Sequence, residues 1–311
     1  TQTVTLNAWG ALSSSGTAQD GAGGFELAVA TSDTGSVMGY VRSTTLAMFS
    51  RKNLGGTWVT GSTIETSTFG AGEGVGFAYD STNDVAYMSY ARLPATTALA
   101  TGNDLIMASG STVDMVASAY NIFGIDLIDQ TANATPTSAF PMLSAAKNAA
   151  GLIGYAYYYH DATSGTDSKL YYGTKGGTST NPQFGQNLVV NYVESTANTM
   201  VGAYPSLAYD GNNQPMIAFH NQVAGEMNLQ LARSSNNGVT FAIQTIDDTS
   251  LTTGLYPSVS ATGTAIGIAY YEVGPATQTT ALRFARYIPG KGWKRMNVDG
   301  VTGVTGSGCS T

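Results

Sequence analysis

Hydrophobic and polar residues alternate along most of the chain in short runs, which are separated by stretches rich in Gly, Asn, Asp and Ser. This alternation has the period of a β-strand with one buried face, and the intervening residues favour tight turns. One phrase also returns: "YPSLAYD" at 204–210 is followed by "YPSVSAT" at 256–262. A segment that recurs at a long period indicates a supersecondary unit that packs against copies of itself.

Four strand positions recur in five units. The second strand of each unit carries a small residue followed by an aromatic one: Gly39-Tyr40, Ser89-Tyr90, Ala156-Tyr157, Ala218-Phe219 and Ala269-Tyr270. The third strands open with Leu46, Leu105, Leu170, Leu229 and Leu282. The fourth strands are predicted at 58–65, 123–129, 184–191, 241–247 and 293–299.

The first strand is clearest in the three phrases that carry a proline. These phrases are "FPMLSAA", "YPSLAYD" and "YPSVSAT", and "FELAVAT" and "GFAYDST" are looser versions in the first two units. We expect Pro141, Pro205 and Pro257 at the first residue of their strands, where no ladder hydrogen bond is lost.

Five units of four strands predict an all-β protein, a five-bladed β-propeller of four-stranded antiparallel blades. An isolated four-stranded sheet would expose two apolar faces, whereas blades in a ring cover each other, and the recurrent small residue would allow their close approach. Six blades is the alternative if residues 1–23 contribute one. A β-sandwich would not repeat in phase, and a β-solenoid uses shorter coils.

The same periodicity divides the chain into three parts. Residues 1–23 are expected to form an N-terminal extension or an extra edge strand, and residues 300–311 a Gly/Ser/Thr-rich tail. The propeller occupies 24–299, with units at about 24–65, 74–129, 139–191, 203–247 and 255–299.

The segment "SSNNGVTF" (234–241) resembles the Asp-box of sialidase-like and BNR-repeat bacterial β-propellers, S-x-D-x-G-x-T-W/F, with Asn236 in place of the Asp. A looser version runs from Ser50 to Trp58. The whole repeat, 24–299, is also similar to the "YPSLALD" arrays of secreted bacterial propellers. The resemblance implies a fold and a structural turn rather than catalytic residues, because the arginines of the chain do not converge in one repeat position.

The net charge and the cysteine content restrict the kinds of partner and cross-link that the chain could have. The net charge of −7 argues against nucleic acid, which needs a basic surface. No apolar run is long enough to span a bilayer. The single cysteine, Cys309, lies in the tail, so no internal disulfide can form, and the role of this thiol stays open. Charged residues make up only 11% of the chain, and with the richness in Thr, Asn and Gly this is typical of secreted or cell-surface bacterial proteins.

Candidate ligand-binding residues lie where the second strands end. The residue two positions after the recurrent aromatic differs between units, which favours one composite site over a site in every blade. Together with the two histidines, these candidates are Arg42, Arg92, Tyr159, His160, His220, Asn221 and Glu272. A further set could stack on sugars or pack between blades: Tyr157, Tyr158, Tyr159, Tyr204, Tyr256 and Tyr271.

No cofactor is expected, and no metal site or catalytic group is assigned. The turns at 80–84 and 210–213 could hold Ca²⁺, but neither has the twelve-residue EF-hand pattern, and Asx-turns are the favoured explanation. Recurrent carboxylates such as Asp247 and Asp299 favour turn capping over a catalytic pair.

We therefore predict a secreted or surface-displayed module that binds a glycan or a protein partner, with oligomerisation open. One alternative is a glycoside hydrolase on a sialidase-like scaffold, and another is a structural subunit of a surface assembly.

Overall fold

The structure is a computed structural model of the 311-residue chain. It describes residues 26–32, 35–43, 46–53, 62–66, 71–92, 104–113, 121–125, 142–161, 167–176, 183–193, 200–223, 226–249, 252–274 and 280–300. The predicted N-terminal extension and residues 301–311 of the predicted tail, with Cys309, lie outside these residues, whereas Gly300 ends the last strand.

The described part of the chain contains twenty strands in antiparallel sheets of four, which confirms the all-β prediction. Sheet 1 contains β1 (Glu26–Ser32), β2 (Gly35–Ser43), β3 (Leu46–Asn53) and β4 (Ser62–Thr66). Sheet 2 contains β5 (Ala71–Asp80), β6 (Val85–Arg92), β7 (Asp104–Ser111) and β8 (Asn121–Ile125). Sheet 3 contains β9 (Leu143–Lys147), β10 (Ile153–Asp161), β11 (Asp167–Gly176) and β12 (Gln183–Val193).

The remaining two sheets follow the same order. Sheet 4 contains β13 (Met200–Tyr209), β14 (Pro215–Val223), β15 (Glu226–Arg233) and β16 (Ala242–Asp247). Sheet 5 contains β17 (Thr252–Thr262), β18 (Ala265–Val273), β19 (Thr280–Ile288) and β20 (Gly292–Gly300). In each sheet the spatial order of the strands is their order in the chain.

The small residue of each second strand occupies the same register position in all five sheets. Its partner on the first strand is also small, and the pairs are Ala28 with Gly39, Gly76 with Ser89, Ser144 with Ala156, Ser206 with Ala218, and Ser258 with Ala269. Two facing small residues leave room for a neighbouring sheet to approach closely.

Consecutive sheets pack through the first strand of the later sheet. In the described contacts, β5 lies on sheet 1, β9 on sheet 2, β13 on sheet 3 and β17 on sheet 4. Backbone N–H groups of the later strand reach the small-residue position: Leu207 donates to Ser144 Oγ and Val259 to Ser206 Oγ, both at 3.0 Å. At Gly76 an added Cβ would lie 2.9 Å from the N atom of Ala145. The small residues therefore accept the backbone of the next sheet.

The hairpin between β15 and β16 is held by side chains of the "SSNNGVTF" segment. Ser234 Oγ accepts the N–H groups of Asn236 (3.1 Å) and Gly238 (2.8 Å), and Asn236 Oδ1 accepts the N–H of Thr240 (2.9 Å). Gly238 has φ +84°, and a Cβ there would lie 2.1 Å from the Tyr172 ring of sheet 3. The segment thus forms a capped turn that packs on the preceding sheet.

Pro205 and Pro257 correct the sequence prediction. Both lie inside strands, β13 and β17, and not at the first residue. The register of each strand shifts there, between Ala203 and Ser206 and between Leu255 and Ser258, so the missing N–H falls in a bulge where no ladder bond is required. Pro141 lies outside the described residues.

Sheet 5 is buried on one face only. The face toward sheet 4 carries Ile266, Ile268 and Tyr270, which pack with Met216 and Leu231 of sheet 4. The residues between them on β18 are half-buried, whereas both faces of β14 are buried because sheet 4 lies between two sheets.

Candidate functional site

Tyr204 and Tyr256 form a pair at the ends of sheets 4 and 5 where the second strands finish. They precede Pro205 and Pro257 and hold the same position in β13 and β17. Their ring centroids are 4.4 Å apart at 51°. Tyr256 is 66% exposed, and Tyr204 is half-buried. The pair therefore presents an aromatic surface at this end of the molecule.

Both tyrosines have left-handed backbone conformations. The φ angle is +53° at Tyr204 and +48° at Tyr256. An aromatic residue rarely adopts these angles, and such strain concentrates at functional positions. Gly202 (φ +94°) and Gly254 (φ +82°), two residues earlier, complete the bulges that turn each tyrosine out of the regular pleat.

Burial, followed by the neighbouring Tyr256, raises the pKa of Tyr204 to about 12. The phenol of Tyr204 therefore stays protonated across the physiological range. It can donate a hydrogen bond to a ligand as well as accept one.

His220 adds a polar group beside the tyrosine pair. Its ring centroid lies 6.3 Å from that of Tyr204, and the side chain is 1% exposed. Nδ1 lies 2.8 Å from the carbonyl oxygen of Thr253 in β17. Because a carbonyl only accepts, Nδ1 carries the proton and Nε2 is an acceptor in the neutral ring.

Burial lowers the pKa of His220 below its ordinary value. The unfolded chain therefore takes up a proton on this histidine at a pH where the folded protein does not. The stability associated with the neutral ring is full above about pH 6.5 and is lost as the pH falls toward the folded-state pKa.

We expect His220→Gln to flatten the fall of the melting temperature between pH 7.5 and pH 5.5, because glutamine keeps a donor for Thr253 and removes the titration. Differential scanning calorimetry of the two proteins isolates this effect from that of Glu272, whose pKa shift is common to both. His160→Gln is the control and should keep the wild-type slope. Equal slopes of melting temperature against pH for the wild type and His220→Gln would contradict the lowered pKa of His220.

A buried ionic network lies behind the pair and joins sheet 4 to sheet 5. Asp247, at the end of β16, is fully buried and accepts Tyr270 Oη (2.5 Å), Arg283 Nη1 (2.7 Å) and Arg295 Nη1 (2.8 Å). All three donors belong to sheet 5. Asp247 therefore ties the sheets together, and its contacts differ from the turn-capping role expected from the sequence.

Glu272 shares this network. Its Oε2 accepts the same Arg283 Nη1 at 2.6 Å, and burial raises the pKa of the Glu272 carboxyl. Glu272 Oε1 and Arg283 Nε are buried without a hydrogen-bond partner among the described residues. The network is connected to the tyrosine pair through Thr253, whose Oγ1 lies 3.2 Å from the backbone oxygen of Asp247.

The structure places the predicted site residues in different surroundings. His220 lies against Tyr204, whereas Asn221 and Glu272 are buried on the sheet faces that pack on the preceding sheet. Arg42 lies in β2, Arg92 ends β6, and Tyr159 and His160 lie in β10, at the matching ends of their strands. The side chains of these four residues are outside the described part of the structure.

Among the predicted tyrosines whose side chains are described, Tyr157 and Tyr158 are buried, Tyr204 and Tyr271 are half-buried, and Tyr256 is largely exposed. Sequence reasoning missed Thr253, Arg283 and the strained backbone of the tyrosine pair. The available signal was the recurrence of "YPS" with a glycine two residues before each tyrosine. A glycine and a proline on either side of an aromatic residue indicate a bulge.

The two turns considered for Ca²⁺ use their carboxylates locally. Asp80 accepts Thr82 N, Asn83 Nδ2 and Lys147 Nζ (2.6 Å), and the Lys147 bond is the main cause that lowers the pKa of Asp80 to about 2. Asp210 Oδ1 accepts the N–H groups of Asn212 and Gln214. Within the described ranges, no three acidic, His or Cys side chains gather as metal ligands do. No helix in those ranges is long and apolar enough to cross a bilayer.

Comparisons with known proteins define the fold. No protein-family model matches the chain, and no curated protein matches it. Solved structures do. A protein of unknown function from Dyadobacter fermentans has a TM-score of 0.60 at 11% identity, over 89% of this chain and 83% of that chain. The NanB sialidase of Streptococcus pneumoniae has a TM-score of 0.61 at 8% identity, over 90% and 62%.

A third similar structure is the GH93 α-L-arabinofuranosidase of Fusarium graminearum, solved with arabinobiose. Its TM-score is 0.54 at 15% identity, and the match covers 88% of this chain and 80% of that chain. At such identities the likeness concerns the fold alone. The chain has the fold of a β-propeller, similar to that of sialidases.

Proposed function

We propose that the protein is a carbohydrate-binding β-propeller whose site is built on the Tyr204–Tyr256 pair. The observation that carries the proposal is this pair: two tyrosines at equivalent positions of adjacent sheets, 4.4 Å apart, each with a left-handed backbone. An exposed aromatic ring offers an apolar face to the C–H groups of a sugar, and its hydroxyl offers a hydrogen bond. Strained backbone that turns such rings outward supports a binding role over a packing role.

Polar groups beside the rings suit a polyhydroxylated ligand. The phenol of Tyr204 stays protonated, so it can both donate to and accept from a sugar hydroxyl. His220 is 1% exposed and supports the Tyr204 ring from within, where its Nδ1 is bonded to the carbonyl of Thr253. In this proposal Arg42, Arg92, Tyr159 and His160 belong to neighbouring parts of the same rim. The buried Asn221 and Glu272 support it from within, Glu272 through Arg283. No cofactor takes part.

The architecture we propose around this site is one closed ring of five four-stranded blades over residues 24–299, with "SSNNGVTF" serving as an Asp-box-type turn. The five equivalent register positions support five blades, and the described first-strand contacts between consecutive sheets support the ring. We further propose a secreted or cell-surface bacterial setting, because an acidic, lysine-poor composition that is rich in Thr, Asn and Gly suits an extracellular glycan-binding module.

Tyr256→Ala tests the site. We expect wild-type protein to bind members of a panel of neutral oligosaccharides and Tyr256→Ala to lose about tenfold in affinity. An aromatic contact adds about 0.5–1.5 kcal/mol beyond the apolar area that it buries, and about 1.4 kcal/mol corresponds to a tenfold change. Isothermal titration calorimetry gives the dissociation constants. Val239→Ala is the control, since Val239 is 62% exposed in the hairpin at the opposite end of sheet 4.

Three results would contradict the proposal or change its class. Equal affinities for wild type and Tyr256→Ala would remove the tyrosine pair from the site. Turnover of chromogenic glycosides by wild type would favour the hydrolase alternative. Absence of any glycan binding, together with a stable complex with another envelope protein, would favour the structural-subunit alternative.

A further inference from the structure

The β19–β20 hairpin concentrates positive charge in an acidic protein. Residues 280–300 contain five of the 13 Lys and Arg residues of the chain and one acid, Asp299, although the net charge of the chain is −7. Two of the five cations, Arg283 and Arg295, point toward sheet 4 and pair with buried carboxylates. The other three are exposed and form no ion pair within the described part of the chain. We call them the basic edge: Arg286, Lys291 and Lys294.

Arg286 and Lys294 lie directly opposite each other. They are partners in the β19–β20 ladder, on the face of sheet 5 that points away from sheet 4. Like charges that face each other across two strands destabilise a sheet. This pair therefore weakens folding, whereas an anion bound between the two side chains would remove the repulsion.

The equivalent arginine of sheet 4 has an acidic partner. Arg233 holds the position in β15 that Arg286 holds in β19, and its Nη2 lies 3.7 Å from Asp210 Oδ2. In sheet 5 the residue equivalent to Asp210 is Thr262. Sheet 5 thus keeps the arginine without the neighbouring acid, and the charge of Arg286 is available to a ligand.

The position of the basic edge stays accessible when a sheet is covered on both faces. Sheet 4 lies between sheets 3 and 5, yet the side chain of Arg233 is 42% exposed, and its ladder partner Ala242 is also exposed. Arg286 and Lys294 hold these two positions in sheet 5. A neighbour on the outer face of sheet 5 would therefore leave the basic edge at the surface.

We propose that the basic edge binds an anionic polysaccharide that carries carboxylate groups along its length. The three cations lie on an exposed hairpin, where a single ion pair in water contributes little. A polymer contacts several of them at once, so weak contacts on one chain combine into a measurable affinity. Arginine suits a carboxylate in particular, because its guanidinium donates two parallel hydrogen bonds to the two oxygens.

Other anionic partners fit this surface less well. The hairpin tip, residues 289–292, consists of Pro, Gly, Lys and Gly and has no large apolar side chain to insert into a lipid surface. The net charge of −7 opposes nucleic acid. A polysaccharide is favoured over an acidic protein because the tyrosine pair, at the other end of sheet 5, is proposed to bind carbohydrate, and in this choice the inference rests on the proposed function.

Binding of sodium polygalacturonate, measured by biolayer interferometry, tests the basic edge. We expect the wild type to bind, and Arg286→Gln with Lys294→Gln to lose about tenfold in affinity, because two exposed ion pairs are removed. Added NaCl should weaken wild-type binding, since exposed charges are screened. Lys294→Gln alone should bind less tightly and yet melt at a higher temperature, because it relieves the repulsion with Arg286. A lower melting temperature for this variant would overturn the functional explanation of the pair.

Arg233→Gln is the matched control. It removes one positive charge from the equivalent position of sheet 4, as Arg286→Gln does from sheet 5. We expect Arg286→Gln to weaken binding about threefold and Arg233→Gln to leave it unchanged, because Arg233 is paired with Asp210. Equal losses would show a general effect of net charge and would overturn the basic edge as a site.

Tyr256→Ala separates this inference from the proposed function. The variant should bind polygalacturonate as the wild type does. A loss in Tyr256→Ala with full binding by the double variant would place the polymer at the tyrosine pair and overturn the inference. Wild-type binding to vesicles of phosphatidylglycerol and phosphatidylcholine but not to polygalacturonate, or to neither, would also overturn it, while titration with neutral oligosaccharides still reports on the tyrosine site.

Discussion

Asp247→Ala is expected to lower the free energy of unfolding by about 3–5 kcal/mol, the largest effect of any substitution considered for this protein. The carboxylate is fully buried and accepts Tyr270, Arg283 and Arg295 across the boundary between sheets 4 and 5. Its removal leaves Arg283, 13% exposed, with Glu272 as its remaining carboxylate partner among the described residues, and leaves the buried hydroxyl of Tyr270 without its acceptor.

Urea unfolding followed by circular dichroism measures this loss. The control is Asp248→Ala, because Asp248 is 74% exposed and lies 3.7 Å from the same Arg295. An exposed pair of this kind contributes about 0–1 kcal/mol. Similar losses for the two variants would show that the network does not hold the sheets together.

The second large effect is expected for Gly254→Ala, a destabilisation of about 2–5 kcal/mol. Two causes combine. Gly254 has φ +82°, which disfavours a side chain, and an added Cβ would lie 2.7 Å from Leu229 Cα, a backbone atom of sheet 4 that cannot move aside. Because Gly254 precedes Tyr256 in the bulge, the variant should also weaken carbohydrate binding.

Gly263→Ala separates the two causes. Gly263 has φ +59° and no atom within 4 Å of the added Cβ, so only the conformational cost of about 1–2 kcal/mol is expected. Urea unfolding of both variants gives the comparison. If they lose equal stability, sheet 5 does not approach sheet 4 as closely at Gly254 as the structure places it.

The local pattern was sufficient to predict the strands and the repeat. Alternation identified the strands, and the small-aromatic pairs at Ala156, Ala218 and Ala269 proved to share one register position because a neighbouring sheet requires the same space at each of them. The hairpin at Ser234 was also visible, since its hydrogen bonds join residues close in sequence.

Features that depend on contacts between sheets were not predictable. Aligning the three phrases on their prolines makes Met142 the equivalent of Ser206. Strand pairing instead makes Ser144 the equivalent of Ser206, because the bulges at Pro205 and Pro257 shift the later strands. The partners of Asp247 lie 23 to 48 residues away on another sheet, and no local pattern encodes such pairs. Likewise, the recurrent positions chosen as candidate site residues identified the ends of the second strands. They did not show which side chains at those ends face outward.

The most direct test of the proposed site is a crystal structure of the wild-type protein with the neutral oligosaccharide that binds most tightly. We predict a sugar ring in van der Waals contact, within about 4 Å, with both Tyr256 and Tyr204. A sugar bound instead at the Ser234 hairpin end, with the tyrosine pair free of ligand, would contradict the account.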